Sequence, residues 1–126
     1  MLVSDVQRLL ACEVFCGEKL LLRDIQYGCA SDLMSDVLAF SRTGAILLTG
    51  LVNVQTVQTA FIAEINAIVF VRRKKPDDVV IECAKQKGIP LLGTAYSMYE
   101  ACGIMYRNGL PSTMEFTSSP VSLAGT

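Results

Sequence analysis

The chain has 126 residues, 52% hydrophobic and 18% charged, with a formal net charge of -1. That length suits one domain with a real core, and the charge balance favours neither nucleic acid nor an anionic membrane surface. No apolar run reaches the roughly 20 residues of a membrane span, and MLVSDVQRLL has neither the basic start nor the long apolar core of a signal peptide, so a cytoplasmic protein is expected.

The chain contains no histidine and five cysteines, Cys12, Cys16, Cys29, Cys83 and Cys102. The absence of histidine excludes imidazole metal sites and most catalytic triads. An odd cysteine count without a secretion signal argues against a disulfide framework. Cys83 and Cys102 fall on apolar helix faces. Cys12, Cys16 and Cys29 could converge on a metal, but no C-x-x-C pair supports structural zinc. No metal, cofactor or catalytic constellation is expected.

Ser4 and Gln7 read as a capping box for a short helix through Val6, Leu9 and Leu10. Residues 13–28 are β-prone, with Gly17-Glu18-Lys19 as a turn, and predict a hairpin or two short strands. Residues 31–40, SDLMSDVLAF, predict a helix capped by Ser31, with Asp32 in its first turn and Leu33, Met34, Val37 and Leu38 as its apolar face. Its two aspartates and two serines could handle a metal or phosphate, but caps and a solvated face account for them.

Residues 45–71, AILLTGLVNVQTVQTAFIAEINAIVFV, organise the rest of the chain. Ala45 to Leu48 is a short apolar run closed by Thr49-Gly50, as in a strand buried on both faces. Asn53 can cap the helix that follows, and Val54, Val57, Phe61 and Ile65 make its apolar stripe. Ala67 to Val71 is the next strand. Arg72-Arg73-Lys74-Lys75 then precedes Pro76, which suits a helix's first turn, and Asp77 and Asp78, which suit its positive end. Val79, Val80, Cys83 and Ala84 face the core, and Gly88, Ile89 and Pro90 end the helix. Pro90 to Gly93 is a third buried strand. Ser97 and Glu100 cap a last helix with Met98, Ala101, Cys102 and Met105 inside, ending at Asn108-Gly109. Residues 111–126, rich in Ser, Thr, Pro and Gly, are expected to be a mobile tail.

Strands starting at Ala45, Ala67 and Pro90 are 22 and 23 residues apart. The fold class is therefore α/β: a small, mostly parallel sheet with βαβ units and helices on both faces. Ligands of open α/β sheets bind at the carboxyl ends of the strands, where helix N-termini favour anions. The candidate ligand-binding residues are Thr49, Gly50, Asn53, Arg72, Arg73, Thr94 and Ser97. The amides of Gly50 and Ser97 would take an anion, and Arg72 or Arg73 would add charge-assisted hydrogen bonds.

SDLMSDVLA (31–39), AILLTGLVNVQTVQTA (45–60), AIVFVRRKKPDDVVIECAKQKGIPLLGT (67–94) and YSMYEACGI (96–104) together resemble the DRTGG domain family over residues 1–110. That family is a small α/β module similar to the N-terminal domain of HPr kinase, often joined to CBS domains or acyl-transfer enzymes. The version here is similar to the stand-alone type that accompanies iron-only hydrogenase and redox genes. The family's Asp-Arg after the first parallel strand is replaced by Gly50-Leu51-Val52-Asn53. Its Thr-Gly-Gly after the next is replaced by about Arg72-Arg73-Lys74, which implies a more anionic ligand.

The function expected is a non-catalytic regulatory domain sensing a small anionic ligand such as a nucleotide, with a link to hydrogenase or redox metabolism implied by the resemblance. The alternative is a protein–protein adaptor without a small ligand, motivated by the apolar composition. Phosphoryl transfer is disfavoured, because no Gly-rich Lys loop is present. A homodimer is expected, the commonest assembly for such a chain.

Overall fold

The structure is a computed structural model that describes residues 1–114. Five strands form one sheet in the order β1-β5-β4-β3-β2. They are β1 (Glu13–Cys16), β2 (Tyr27–Ala30), β3 (Ala45–Thr49), β4 (Ala67–Phe70) and β5 (Leu91–Gly93). Strands β2 to β5 are parallel, and β1 runs antiparallel at the edge beside β5. The expected α/β architecture is present.

Alternation along the strands divides the core in two, because successive side chains point to opposite faces. Leu47, Ile68, Phe70 and Leu91 point to a layer formed by α2 (Met34–Phe40), α3 (Val54–Ile62) and α4 (Asp78–Lys87). Ile46, Leu48, Val69 and Leu92 point to α1 (Val3–Leu9) and α5 (Met98–Arg107). Every residue of β3, β4 and β5 is buried. Covered on both faces, these strands need continuous apolar runs, and the sequence supplies them.

Helices α3 and α5 start at their predicted caps, α4 is capped by Asp77, and each cap is a contact over three residues. Asn53 accepts from the Thr56 amide at 2.9 Å, Asp77 from Val80 at 3.0 Å and Ser97 from Glu100 at 3.2 Å. Gly88 closes α4 with φ +68°, and Ile89 packs beneath it.

Other expectations are corrected. Of the two alternatives for residues 13–28, the two short strands are present and the hairpin is not: β1 and β2 lie at opposite edges of the sheet, joined through a 3-10 turn at Glu18–Leu20. Helix α1 starts at Val3, and the Leu2 amide donates to the Asp5 carboxylate at 2.7 Å, so Ser4 is no cap. Helix α2 starts at Met34, three residues late, because Ser31 Oγ accepts from the Leu33 amide and makes a local turn that competes with helix. Leu33 and Leu38 then face solvent rather than the core. In α3, Ala60 takes the buried position and Phe61 is half-exposed under Lys87, whose Nζ stands 4.6 Å from the ring centroid. Pro76 lies before the cap Asp77 rather than in the first turn, and Val79 is exposed.

The segment after α5 lies along the free edge of β2. The Gly28 amide donates to Pro111 O at 2.8 Å, and the Thr113 amide to Gly28 O at 3.1 Å. Of the predicted tail, residues 115–126 lie outside the described residues.

Candidate functional site

The parallel strands β3, β4 and β5 end side by side at Thr49, Phe70 and Gly93, and the loops after them are stitched together through the backbone. Val71 N donates to Thr49 O (3.1 Å), Arg72 N to Tyr96 O (2.8 Å) and Arg73 N to Thr94 O (2.9 Å). The loop after β4 turns through two consecutive residues of positive φ, Arg72 at +57° and Arg73 at +60°. A non-glycine residue in that region costs roughly 1–2 kcal/mol. The turn therefore holds two strained arginines at the carboxyl edge, followed by exposed Lys74 and Lys75.

The predicted residues fall into three groups. Thr49, Gly50 and Arg72 meet at one point, together with Asp32. The Asp32 carboxylate accepts from the Gly50 amide at 2.7 Å and from the Thr49 hydroxyl at 2.9 Å. Thr49 is fully buried, and its Oγ1 accepts in turn from the Leu51 amide. The Arg72 guanidinium lies over Gly50, where an added Cβ would stand 2.5 Å from Nη2. Only glycine allows that approach. The Gly50 amide, expected to take an outside anion, is thus used by the chain's own carboxylate.

Asp32 is held below its ordinary value of 3.8, first by the Gly50 hydrogen bond. Burial opposes this, while the Thr49 hydroxyl and the charges of Arg72 and Lys74 add to it. A lowered folded value means that the ion contributes stability above pH 3.8, and that this is lost as the pH falls through the folded value. Asp32→Asn keeps an acceptor but removes the charge. It is expected to cost about 0.5–1 kcal/mol at pH 7, and the difference from wild type should shrink at pH 3. Urea melts of both proteins at the two pH values check this; an equal difference at both would overturn it.

Arg73 and Thr94 line a separate cavity of about 370 Å³ with Phe15, Lys74, Lys75 and Gly93. The size suits a small ligand. Phe15 closes one side: a Cβ at Gly93 would stand 2.6 Å from its ring. Glu13, the first residue of β1, also lines the cavity and pairs with Lys75 at 3.6 Å. The Thr94 hydroxyl is buried and donates to Leu10 O at 2.7 Å, so its proton is committed to the fold.

Asn53 and Ser97 form the third group. Their side chains cap α3 and α5, and Asn53 Oδ1 also accepts from the Thr56 hydroxyl at 3.1 Å.

Asp32, Phe15 and Lys74 were absent from the expected site. Asp32 reaches Gly50 across 18 residues, and no local pattern carries that contact. Phe15 arrives on an antiparallel edge strand, so only the sheet order brings it to Gly93. Lys74 was legible as part of the basic run.

Among the described residues, no three His, Cys, Asp or Glu side chains gather where they could hold a metal ion. Cys12 is pushed up to about 12 by burial, and the Cys16 thiol, also raised by burial, donates to Ile89 O at 3.7 Å. No helix of the described residues is long and apolar enough to cross a membrane.

No protein-family model matches the chain, and no curated protein sequence matches it. Among solved structures it is similar to the CBS and DRTGG domains of the regulatory region of Clostridium perfringens pyrophosphatase, which was crystallised with its activator, diadenosine tetraphosphate. The TM-score is 0.67 at 15% identity. The match covers 92% of this chain and 50% of that one, so this chain spans about half of that regulatory region. The likeness lies in the fold.

Proposed function

We propose that this chain is a non-catalytic regulatory domain that senses a small anionic ligand of the nucleotide or polyphosphate class. One observation carries the reading. Two consecutive arginines of positive φ are held at the carboxyl edge of the parallel strands, beside a 370 Å³ cavity lined by Arg73, Lys74, Lys75 and Phe15. Backbone strain of this kind persists where surrounding structure over-determines it, and it clusters at ligand sites. The cations would contact phosphate oxygens, while Phe15, half-buried in the cavity wall, would add an apolar contact.

One further point supports the reading: the regulatory region of similar fold was crystallised with a nucleotide activator. The link to hydrogenase or redox metabolism rests on the resemblance alone.

The test is calorimetric titration with pyrophosphate, ATP and, as a control of low charge, acetate. Pyrophosphate or ATP is expected to bind, more weakly as salt rises, and Arg73→Ala is expected to weaken it about tenfold or more. If no phosphate compound binds wild type, the sensor reading fails and the adaptor reading takes its place. If Arg73→Ala binds as wild type does, the site is misplaced.

A further inference from the structure

The cavity beside the basic turn has an acidic side. Glu13 stands opposite Gly93 in the antiparallel register of β1 on β5, and residues so paired send their side chains to the same face of the sheet. The ring of Phe15 lies against Gly93 on that face. Gly93 itself has no side chain, so the space above it stays open. The turn after β4 roofs this space: Lys74 O lies 3.6 Å from the point where a Cβ at Gly93 would stand. One wall of the cavity thus carries Glu13 and Phe15, and the other Arg73, Lys74 and Lys75.

Three cations and one carboxylate line this space. Lys75 Nζ stands 3.6 Å from Glu13 Oε1, and the two side chains are 67% and 57% exposed. Charge-assisted hydrogen bonds measure about 2.7–2.9 Å, so this looser pair offsets charge but leaves the carboxylate's lone pairs open to a donor. Arg73 and Lys74 remain for an anion. A carboxylate in an anion site repels each added negative charge, so a site for bare polyphosphate gains nothing from Glu13. It does suit a ligand that presents hydroxyl donors beside its phosphate. An ionised carboxylate only accepts, and its two oxygens can take two neighbouring hydroxyls at once. The ribose of a nucleotide presents such a pair, and acidic side chains hold ribose in the dinucleotide sites of other α/β folds. Pyrophosphate presents none.

We infer that Glu13 is a specificity-determining residue, and that the cavity takes a ribonucleotide in preference to a bare polyphosphate. The phosphate lies on Arg73 and Lys74, the ribose hydroxyls donate to Glu13, and Phe15 covers an apolar part of the ligand. This rests on the anion-sensing reading of the same cavity.

Calorimetric titration of the full chain with ATP, with its dideoxy analogue lacking both ribose hydroxyls, and with pyrophosphate tests this. Wild type is expected to bind ATP about tenfold or more tighter than the analogue. Glu13→Ala, at an exposed position on the edge strand, should weaken ATP about tenfold and bring it level with the analogue. The same variant should tighten pyrophosphate about twofold or more, because a repelling charge is gone. Misfolding would weaken all three, and circular dichroism checks for it; the wild-type comparison stands whether or not the variant folds. Equal binding of ATP and the analogue by wild type overturns the inference, and so does an ATP preference that survives Glu13→Ala. In either case, pyrophosphate binding that Arg73→Ala weakens leaves the anion site standing. If no phosphate compound binds wild type, the sensor reading fails and this inference fails with it.

Discussion

Gly17→Ala is expected to lower the unfolding free energy by about 2–5 kcal/mol, one of the largest effects of any single methyl group among the described residues. Gly17 follows β1 and opens the 3-10 turn with φ +84° and ψ +28°. A Cβ there is disfavoured by roughly 1–2 kcal/mol from the dihedrals alone. It would also stand 2.6 Å from both Cα and Cβ of Pro90. That neighbour is backbone and a rigid ring, next to β5, so it cannot swing aside as a long side chain would. Overpacking of this sort adds about 1–3 kcal/mol. At this chain length the loss corresponds to a drop of about 10 °C in Tm. Gly88→Ala is the matched control. Its φ is also positive, at +68°, but nothing lies within 4 Å, so only the dihedral cost applies. Urea unfolding of the two variants separates steric contact from backbone strain. Equal losses would mean that the approach of Gly17 to Pro90 carries no cost.

Arg73→Gly should move stability and binding in opposite directions. Glycine removes the positive-φ cost of roughly 1–2 kcal/mol and gives back about 0.4–1 kcal/mol through a more flexible unfolded chain. The net change is a gain of about 0–1.6 kcal/mol. The same substitution deletes a cation from the cavity and should weaken pyrophosphate or ATP binding about tenfold or more. Arg72→Gly is less clean, because the Arg72 guanidinium also lies over Gly50 beside Asp32. Thermal melts without ligand, paired with titration, read both quantities. A residue kept only for the fold would lose stability on substitution. A residue strained in the service of a ligand would lose binding and gain stability. A fall in Tm of several degrees for Arg73→Gly, with binding unchanged, would return the basic turn to a purely structural role.

These two predictions rest on parts of the molecule with different legibility. Read alone, the sequence determined the central β3-α3-β4-α4-β5 unit and most of its punctuation. Buried parallel strands need uninterrupted apolar runs, and the runs at Ala45, Ala67 and Leu91 have no other use. The caps Asn53 and Ser97 and the closing Gly88 are contacts within one helical turn, so residue identity and spacing suffice. The basic run was legible for the same reason: four adjacent cations at a strand end are a local fact.

The tertiary structure decided everything that depends on distant neighbours. Local signals place a turn after Cys16, but they cannot tell a hairpin from two strands at opposite edges of a sheet. Sheet order is set by which apolar faces the helices cover. Asp32 looks like a first-turn acid in its own segment; it becomes the partner of Gly50 only when β2 pairs with β3 and brings the two chain segments together. Phe15 and Gly93 meet because β1 joins β5 antiparallel. Pro111 to Thr113 read as tail, since no apolar period marks them, yet their backbone groups find Gly28 at an open strand edge. The two positive φ values at Arg72 and Arg73 were hidden for a related reason. Arginine disfavours that conformation, and only the bonds to Thr94 and Tyr96 from the neighbouring loop impose it.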